Sequence, residues 1–297
     1  MAFALDPARP IPKAVKKAAK KQLRKSVDGL TGQTELDPDE AAHDARKRTK
    51  KVRALLRLAR PELGDKVYRR ENRALRDASR ILSPVRDAWV LVEALDDLVT
   101  PSDDELSPDA VAGFRAVLSA EHRELQTGQE EDGAPLQAAE AYEQVLARVS
   151  RWRLENHGWA SLDDGVEAVF RRGCRAMARA RSKGRAEDFH EWRKQVKYLR
   201  HQFGLLRLVW PDVLEAMEDT ADELGERLGA DHDLAVLRER VETEPSLAPA
   251  VRQALLRRID ARRKEHQSEA LALGRRLYAE KPSALRQRLG RLWNAAA

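Results

Sequence analysis

The chain has 297 residues, room for one large domain or two of about 150. Lys and Arg number 55 against 49 Asp and Glu, so the net charge of +6 is too modest to establish an anionic partner, and the arrangement of the charges has to decide. With 42% apolar residues, one cysteine and no run of 18 apolar residues, the composition excludes global disorder, an internal disulfide and a membrane span.

Charged residues are 35% of the chain and aromatics 5%, the composition of long amphipathic helices. The spacing predicts a first helix over residues 12–28, ending near Gly29 and Gly32. The basic N-terminus has no long apolar stretch followed by a cleavage site, so it does not read as a signal peptide. "DPDE" at Asp37 is a helix start with Pro38 at the first helical position. That helix is expected to reach Arg60 and stop at Pro61. A third covers 62–82, and Ser83-Pro84 caps a fourth reaching Val99. "SPDA" at Ser107 opens a fifth, and "TGQEEDGAP" separates it from a sixth ending near Arg153. "SLDD" at Ser161, with Asp164 three residues on, is close to a capping box. Helices are expected next over 162–181, 187–210, 212–228 and 231–242, then over 246–279 and from 282 to the end. No alternating strand pattern occurs, so the expected class is all-α.

An internal repeat organises these elements. "HDARKRTKKVR" at His43 and "HEWRKQVKYLR" at His190 both fit His-x-x-Arg-Lys-x-x-Lys-x-x-Arg. "LLRLARPEL" at Leu55 parallels "LLRLVWPDV" at Leu205, and "LSPVRDAWVL" at Leu82 parallels "LGADHDLAVL" at Leu228. The order predicts two similar helical bundles, residues 1–157 and 158–297, related by a pseudo-two-fold axis.

On a helical wheel, His43, Arg46, Lys47, Lys50, Arg53 and Arg57 fall within an arc of about 120°. Ala45, Val52, Leu55, Leu56 and Ala59 oppose them. His190, Arg193, Lys194, Lys197, Arg200 and His201 make the same arc, opposed by Trp192, Val196, Leu199, Phe203 and Leu206. Like charges one turn apart destabilise a helix by roughly 0.2–0.5 kcal/mol per pair. Across residues 43–57 the only acid is Asp44, so the stripe is unfavourable unless an anion neutralises it. It is about 21 Å long at 1.5 Å per residue, which suits a linear polyanion better than one phosphate. Further candidate contacts at helical spacing are Arg69, Arg73, Arg76 and Arg80; Lys16, Lys20 and Arg24; and Arg171, Arg175 and Arg179. Glu71 and Asp77 could pair with the Arg69–Arg80 row. The counterpart of that row in the second half is acidic, with Glu215, Asp219, Glu223 and Glu226. An anion channel is therefore expected to be asymmetric, with more cations from the first half.

The histidines could serve as metal ligands, but no HExxH or paired Cys/His spacing is present and the surrounding cations would repel a metal. Each imidazole is expected instead to donate to an anion or to be protonated beside one; a structural role at the helix entry is the alternative. Asp231-His232-Asp233 reads as a cap with a salt bridge before it reads as a metal or catalytic cluster. Cys174 reads as packing, and the six Trp mostly as core. No phosphate-binding Gly-rich loop, paired-carboxylate or Ser/His/Asp arrangement indicates catalysis.

The two His-headed motifs, with "RDAWVL" and "HDLAVL" downstream, resemble the two halves of a CHAD domain, the conserved histidine α-helical domain, from about Lys13 onward. The resemblance implies helical bundles around a central basic cavity or pore. It implies binding of inorganic polyphosphate and association with polyphosphate granules in the cytoplasm. Carried over by position, the anion contacts are His43, Arg46, Lys47, Lys50 and Arg53, with His190, Arg193, Lys194, Lys197 and Arg200. The family often occurs fused to a CYTH-type triphosphate-processing domain, whose ExExK tract is not found here. The expectation is a non-enzymatic binder without cofactor or metal. Nucleic-acid binding, or a scaffold for a phosphate-metabolising enzyme, remains the second reading.

Overall fold

A computed structural model of the chain describes residues 3–99, 106 and 108–297, the Glu130 side chain apart. The expected Ser107 cap lies outside the described residues. Those residues form helices, turns and connecting segments without a strand.

Sequence punctuation explains most helix starts. α1 (Ile11–Leu30) buries Ile11, Val15, Ala19, Leu23, Val27 and Leu30, one apolar position every three or four residues. α2 (Pro38–Leu58) opens on a capping box: Glu40 N donates to Asp37 Oδ1 at 2.8 Å, and Asp37 N donates back to Glu40 Oε2 at 3.2 Å. α3 (Arg60–Ile81) is kinked where Gly64 takes φ 72°, a left-handed angle that favours glycine. α4 (Pro84–Asp96), α5 (Pro108–Glu131) and α6 (Ala134–Val149) complete the first half. After a 3-10 turn at Trp159–Ser161 come α7 (Asp163–Lys183), α8 (Ala186–Leu206), α9 (Pro211–Thr243), α10 (Pro249–Leu277) and α11 (Pro282–Ala296).

Four local expectations need correction. The helices expected over 212–228 and 231–242 are one 33-residue helix, α9. Asp231 lies inside it and is no cap; its buried carboxylate accepts from Arg263 Nε at 3.0 Å and Gln267 Nε2 at 2.8 Å, which tie α10 to α9. Ser161 does not cap α7, because its hydroxyl donates to the Asn156 carbonyl at 2.6 Å. Nor does Ser83 cap α4; its hydroxyl goes to Asp87 Oδ2 at 2.7 Å. Of the six Trp, Trp152, Trp192 and Trp293 are fully buried, whereas Trp89 and Trp210 are exposed. Cys174 packs half-buried against the core, and burial pushes its thiol pKa up.

Burial joins the two halves of the chain. The larger core unites Leu55, Leu56 and Leu75 from the first half with Val166, Phe170, Trp192, Phe203 and Leu224 from the second. A smaller core joins Val92, Phe114 and Leu118 of α4 and α5 to Leu237, Val241, Leu255 and Ile259 of α9 and α10. At the centre α2 packs directly on α8. The apolar sides anticipated for both helices, from Ala45 to Ala59 and from Trp192 to Leu206, are buried. That fixes the rotation of both helices, and hence where their cations go.

A buried cluster of cations between α2 and α8

Because α2 and α8 touch, their basic stripes converge. Lys50 of α2 lies in the field of Arg193, and Lys197 of α8 in the fields of Lys50, Arg193 and Arg200. Among the described residues neither ammonium has a carboxylate within ion-pair distance, the 28 described pairs involving other groups. Loss of water, then neighbouring cations, lowers the Lys50 pKa to about 8 and the Lys197 pKa to about 7. Arg193 is also held down by burial, and its Nε is buried with no hydrogen-bond partner. A cavity of about 960 Å³ opens beside these groups, and its lining is mixed in charge: Arg86, Arg193, Lys197, Arg200 and Arg262 alternate with Glu93, Asp96, Asp97, Asp222, Glu226 and Asp233.

The protein's own polar groups hold the neighbouring arginines in place. Arg46 donates to the Leu82 and Ser83 carbonyls at 3.2 and 3.1 Å and pairs with Asp87 at 3.1 Å, spanning the α3–α4 corner. Asn72 Oδ1 accepts from Arg53 Nε at 3.0 Å and from Arg57 at 3.1 Å. The Arg57 guanidinium lies 3.6 Å from the Tyr198 ring centroid, a cation–π contact between the two central helices. Arg200 pairs with Asp222, and Asp233 faces Arg193 and Lys197 without reaching ion-pair distance.

All the imidazoles here favour the neutral form. Burial and adjacent cations lower the pKa values of His43 and His190, bring His232 to about 4, and bring His201 to about 3. His190 lies tilted against His232 with centroids 4.1 Å apart, and its Nδ1 is buried without a partner among the described residues. In the anion-free protein each imidazole therefore leans toward the neutral form, in which its N–H can donate a hydrogen bond. Among the described residues no group of three or more His, Cys, Asp or Glu could hold a metal.

The structure brings together Arg46, Lys50, Arg53, Arg57, Arg193, Lys197, Arg200 and His201, with His43, Lys47, His190 and Lys194 at the edge. Lys194 turns to Glu191. Three other candidate rows lie elsewhere. Arg69 pairs with Asp65 at 3.1 Å and Arg76 with Asp77 at 2.9 Å; Arg80 is 4.0 Å from Asp77, and Arg73 is exposed. Glu71 pairs not with that row but with Arg148 of α6, at 2.8 Å, and with Arg70. Lys16, Lys20 and Arg24 line an outer surface with other lysines of α1. Arg171 pairs with Glu167, Arg179 with Asp188 at 2.9 Å, and Arg175 is exposed. The expected excess of first-half cations is reversed in the large cavity: of its Lys and Arg, Arg193, Lys197, Arg200 and Arg262 belong to the second half and only Arg86 to the first. The α3 row points outward because Leu63, Glu71, Leu75 and Ala78 are the face it buries.

Sequence reasoning missed Arg86, Arg172, Lys51, Tyr198 and Asn72. Arg172, not Arg171, is the half-buried member of its pair, in the field of Arg60 and beside Tyr68 and Tyr198. The repeat could have flagged Arg86, because Arg86-Asp87 is the counterpart of His232-Asp233.

The family model of the CHAD domain matches residues 17–242. The chain belongs to the CHAD family. Two solved structures align over most of its length. PptA from Streptomyces chartreusis superposes with a TM-score of 0.67 at 16% identity, covering 91% of this chain and 100% of that one. The CHAD domain from the plant Ricinus communis gives 0.66 at 17% identity, covering 94% and 95%. At such identities the likeness is one of fold. No curated protein matches the sequence. In this CHAD protein the two His-headed motifs are the two helices that meet at the centre.

Proposed function

We propose that this CHAD protein binds inorganic polyphosphate without reacting with it, along the seam between α2 and α8. Lys50 and Lys197 carry the reading: two desolvated ammonium groups lie close to each other and to Arg193, with no acid within ion-pair distance among the described residues. A linear polyanion supplies the missing charge. Arg forks give directed hydrogen bonds to phosphate oxygens and Lys supplies mobile point charge. Each added contact releases counterions, a principle drawn from nucleic acids, so affinity rises with chain length and falls with salt. The seam is read as a basic passage near a pseudo-two-fold axis relating the two repeats, and the cellular site as cytoplasmic polyphosphate granules. No helix among the described residues is long and apolar enough to cross a membrane.

The test is a titration of wild type and of Lys50→Glu with Lys197→Glu against phosphate, tripolyphosphate and long polyphosphate. Wild type is expected to prefer long chains by more than ten-fold, about 1.4 kcal/mol, and the double variant to lose that preference. Equal binding of single phosphate and long chains sinks the reading. Duplex DNA in competition tests the nucleic-acid alternative, and phosphate release with Mg²⁺ present would make the protein an enzyme instead.

A further inference from the structure

Beside His43, at the edge of the cation cluster, lies a pocket that the polyphosphate reading leaves largely unused. It has a volume of about 620 Å³, within the ~300–1,000 Å³ range of small-molecule sites. Its wall is apolar on one side, from Leu36, Val85 and Trp89. Trp89 is 38% exposed, and its ring is tilted against His122 with centroids 5.1 Å apart. An indole left this open beside aliphatic side chains is a surface for a flat ring. Gln129 supplies a second signal: its Oε1 is buried and among the described residues no group donates to it. Such an acceptor is unfavourable until a donor reaches it.

The opposite side of the pocket carries the guanidinium groups of Arg46 and Arg86 and the neutral imidazole of His43. Arg86 also lines the 960 Å³ cavity, so the pocket and the cation cluster share a wall. Two acids also line the pocket, Asp39, which accepts from Gln126 Nε2 at 2.9 Å, and Glu40, which closes the α2 capping box; outside it Asp87 pairs with Arg46, and Glu93 pairs with Arg86 at 3.0 Å. One end of the pocket therefore suits a flat ring carrying an N–H or O–H donor, and the other suits several negative charges.

We propose that this pocket binds a nucleoside di- or triphosphate. The base lies against Trp89 between Leu36 and Val85, an exocyclic amine or ribose hydroxyl donates to Gln129 Oε1, and the phosphates run onto Arg46, Arg86 and the neutral His43. The phosphate tail then points toward the residues assigned to polyphosphate, so nucleotide and polyphosphate compete at that edge.

Calorimetry on the full chain tests this with ATP, adenosine and tripolyphosphate as probes, in wild type, Trp89→Ala and Gln129→Leu. ATP is expected to bind more tightly than either fragment. Each substitution should weaken ATP by about ten-fold, while tripolyphosphate affinity stays within two-fold. Should Trp89→Ala fail to fold, Gln129→Leu decides, since it removes an acceptor that no described protein group uses. ATP binding no tighter than tripolyphosphate, or unchanged in the folded variants, overturns the proposal. ATP binding that depends on Trp89 or Gln129, in a protein that ignores long polyphosphate, would sink the polyphosphate reading and leave this one standing.

Discussion

Lys197 and Lys50 combine two unfavourable conditions, burial and like-charged neighbours, and both depress an ammonium pKa. In the unfolded chain both lysines keep a proton up to about pH 10.4. In the folded chain they lose it near 7 and 8. Between those limits the unfolded state binds more protons, so this pair makes stability rise with pH from about 7 toward 10, and its destabilisation is complete below 7. Polyphosphate should raise both pKa values again, and binding should take up protons. Calorimetry at pH 7.5 in two buffers of different ionisation enthalpy should detect the uptake, with affinity falling toward pH 9. Lys197→Met should raise the thermal midpoint of the free protein by a few degrees while weakening long-chain binding. Glu71 is the opposite case, a fully buried acid bound by Arg148 and Arg70. Glu71→Ala strands part of that charge and should destabilise by about 3 kcal/mol in urea unfolding.

The equivalent stretches of the two halves are built differently. In the first half, α3 ends at Ile81 and α4 begins at Pro84, and the corner between them offers the carbonyls that hold Arg46. In the second half, α9 runs straight through, and Gly229 lies where the break would be. A Cβ there would meet the Arg193 guanidinium at 3.3 Å, a contact the long side chain can yield to by a few tenths of an ångström. Glycine in a helix interior costs about 0.5–1 kcal/mol against alanine. Gly229→Ala should therefore raise the melting temperature by roughly 2 °C and displace Arg193. A few-fold loss of polyphosphate affinity in the same variant would tie that glycine to the site. The helix that starts at Pro38 was legible because Asp37, Pro38 and Glu40 are local signals. The continuity of α9 was not, because a partner on α10 holds Asp231 rather than the nearby chain ends.

Across the whole molecule, each core draws residues from both halves of the chain. Either half alone would lose the packing of α2 on α8 and part of both cores. Expressed separately, neither half should unfold cooperatively in urea, whereas co-expression should restore one transition; two independent cooperative transitions would refute a shared core. The shared core also holds α2 against α8, so it presses two cationic faces together at the expense of their mutual repulsion.

The sequence by itself determined that the chain is helical, where most helices start, and which side of α2 and α8 is basic, because caps, prolines and a 3.6-residue period act over a few neighbours. It carried the family resemblance too, since the paired motif is contiguous. Only the tertiary structure decided which cations meet. Lys50 and Lys197 converge while Arg69, Arg76 and Arg171 pair with their own helices' acids, and Lys16, Lys20 and Arg24 stay on an outer face. Helical phase fixes a direction around one axis. Whether that direction ends in water, at an acid or at another cation depends on which helix lies opposite, and residues far away in the chain set that.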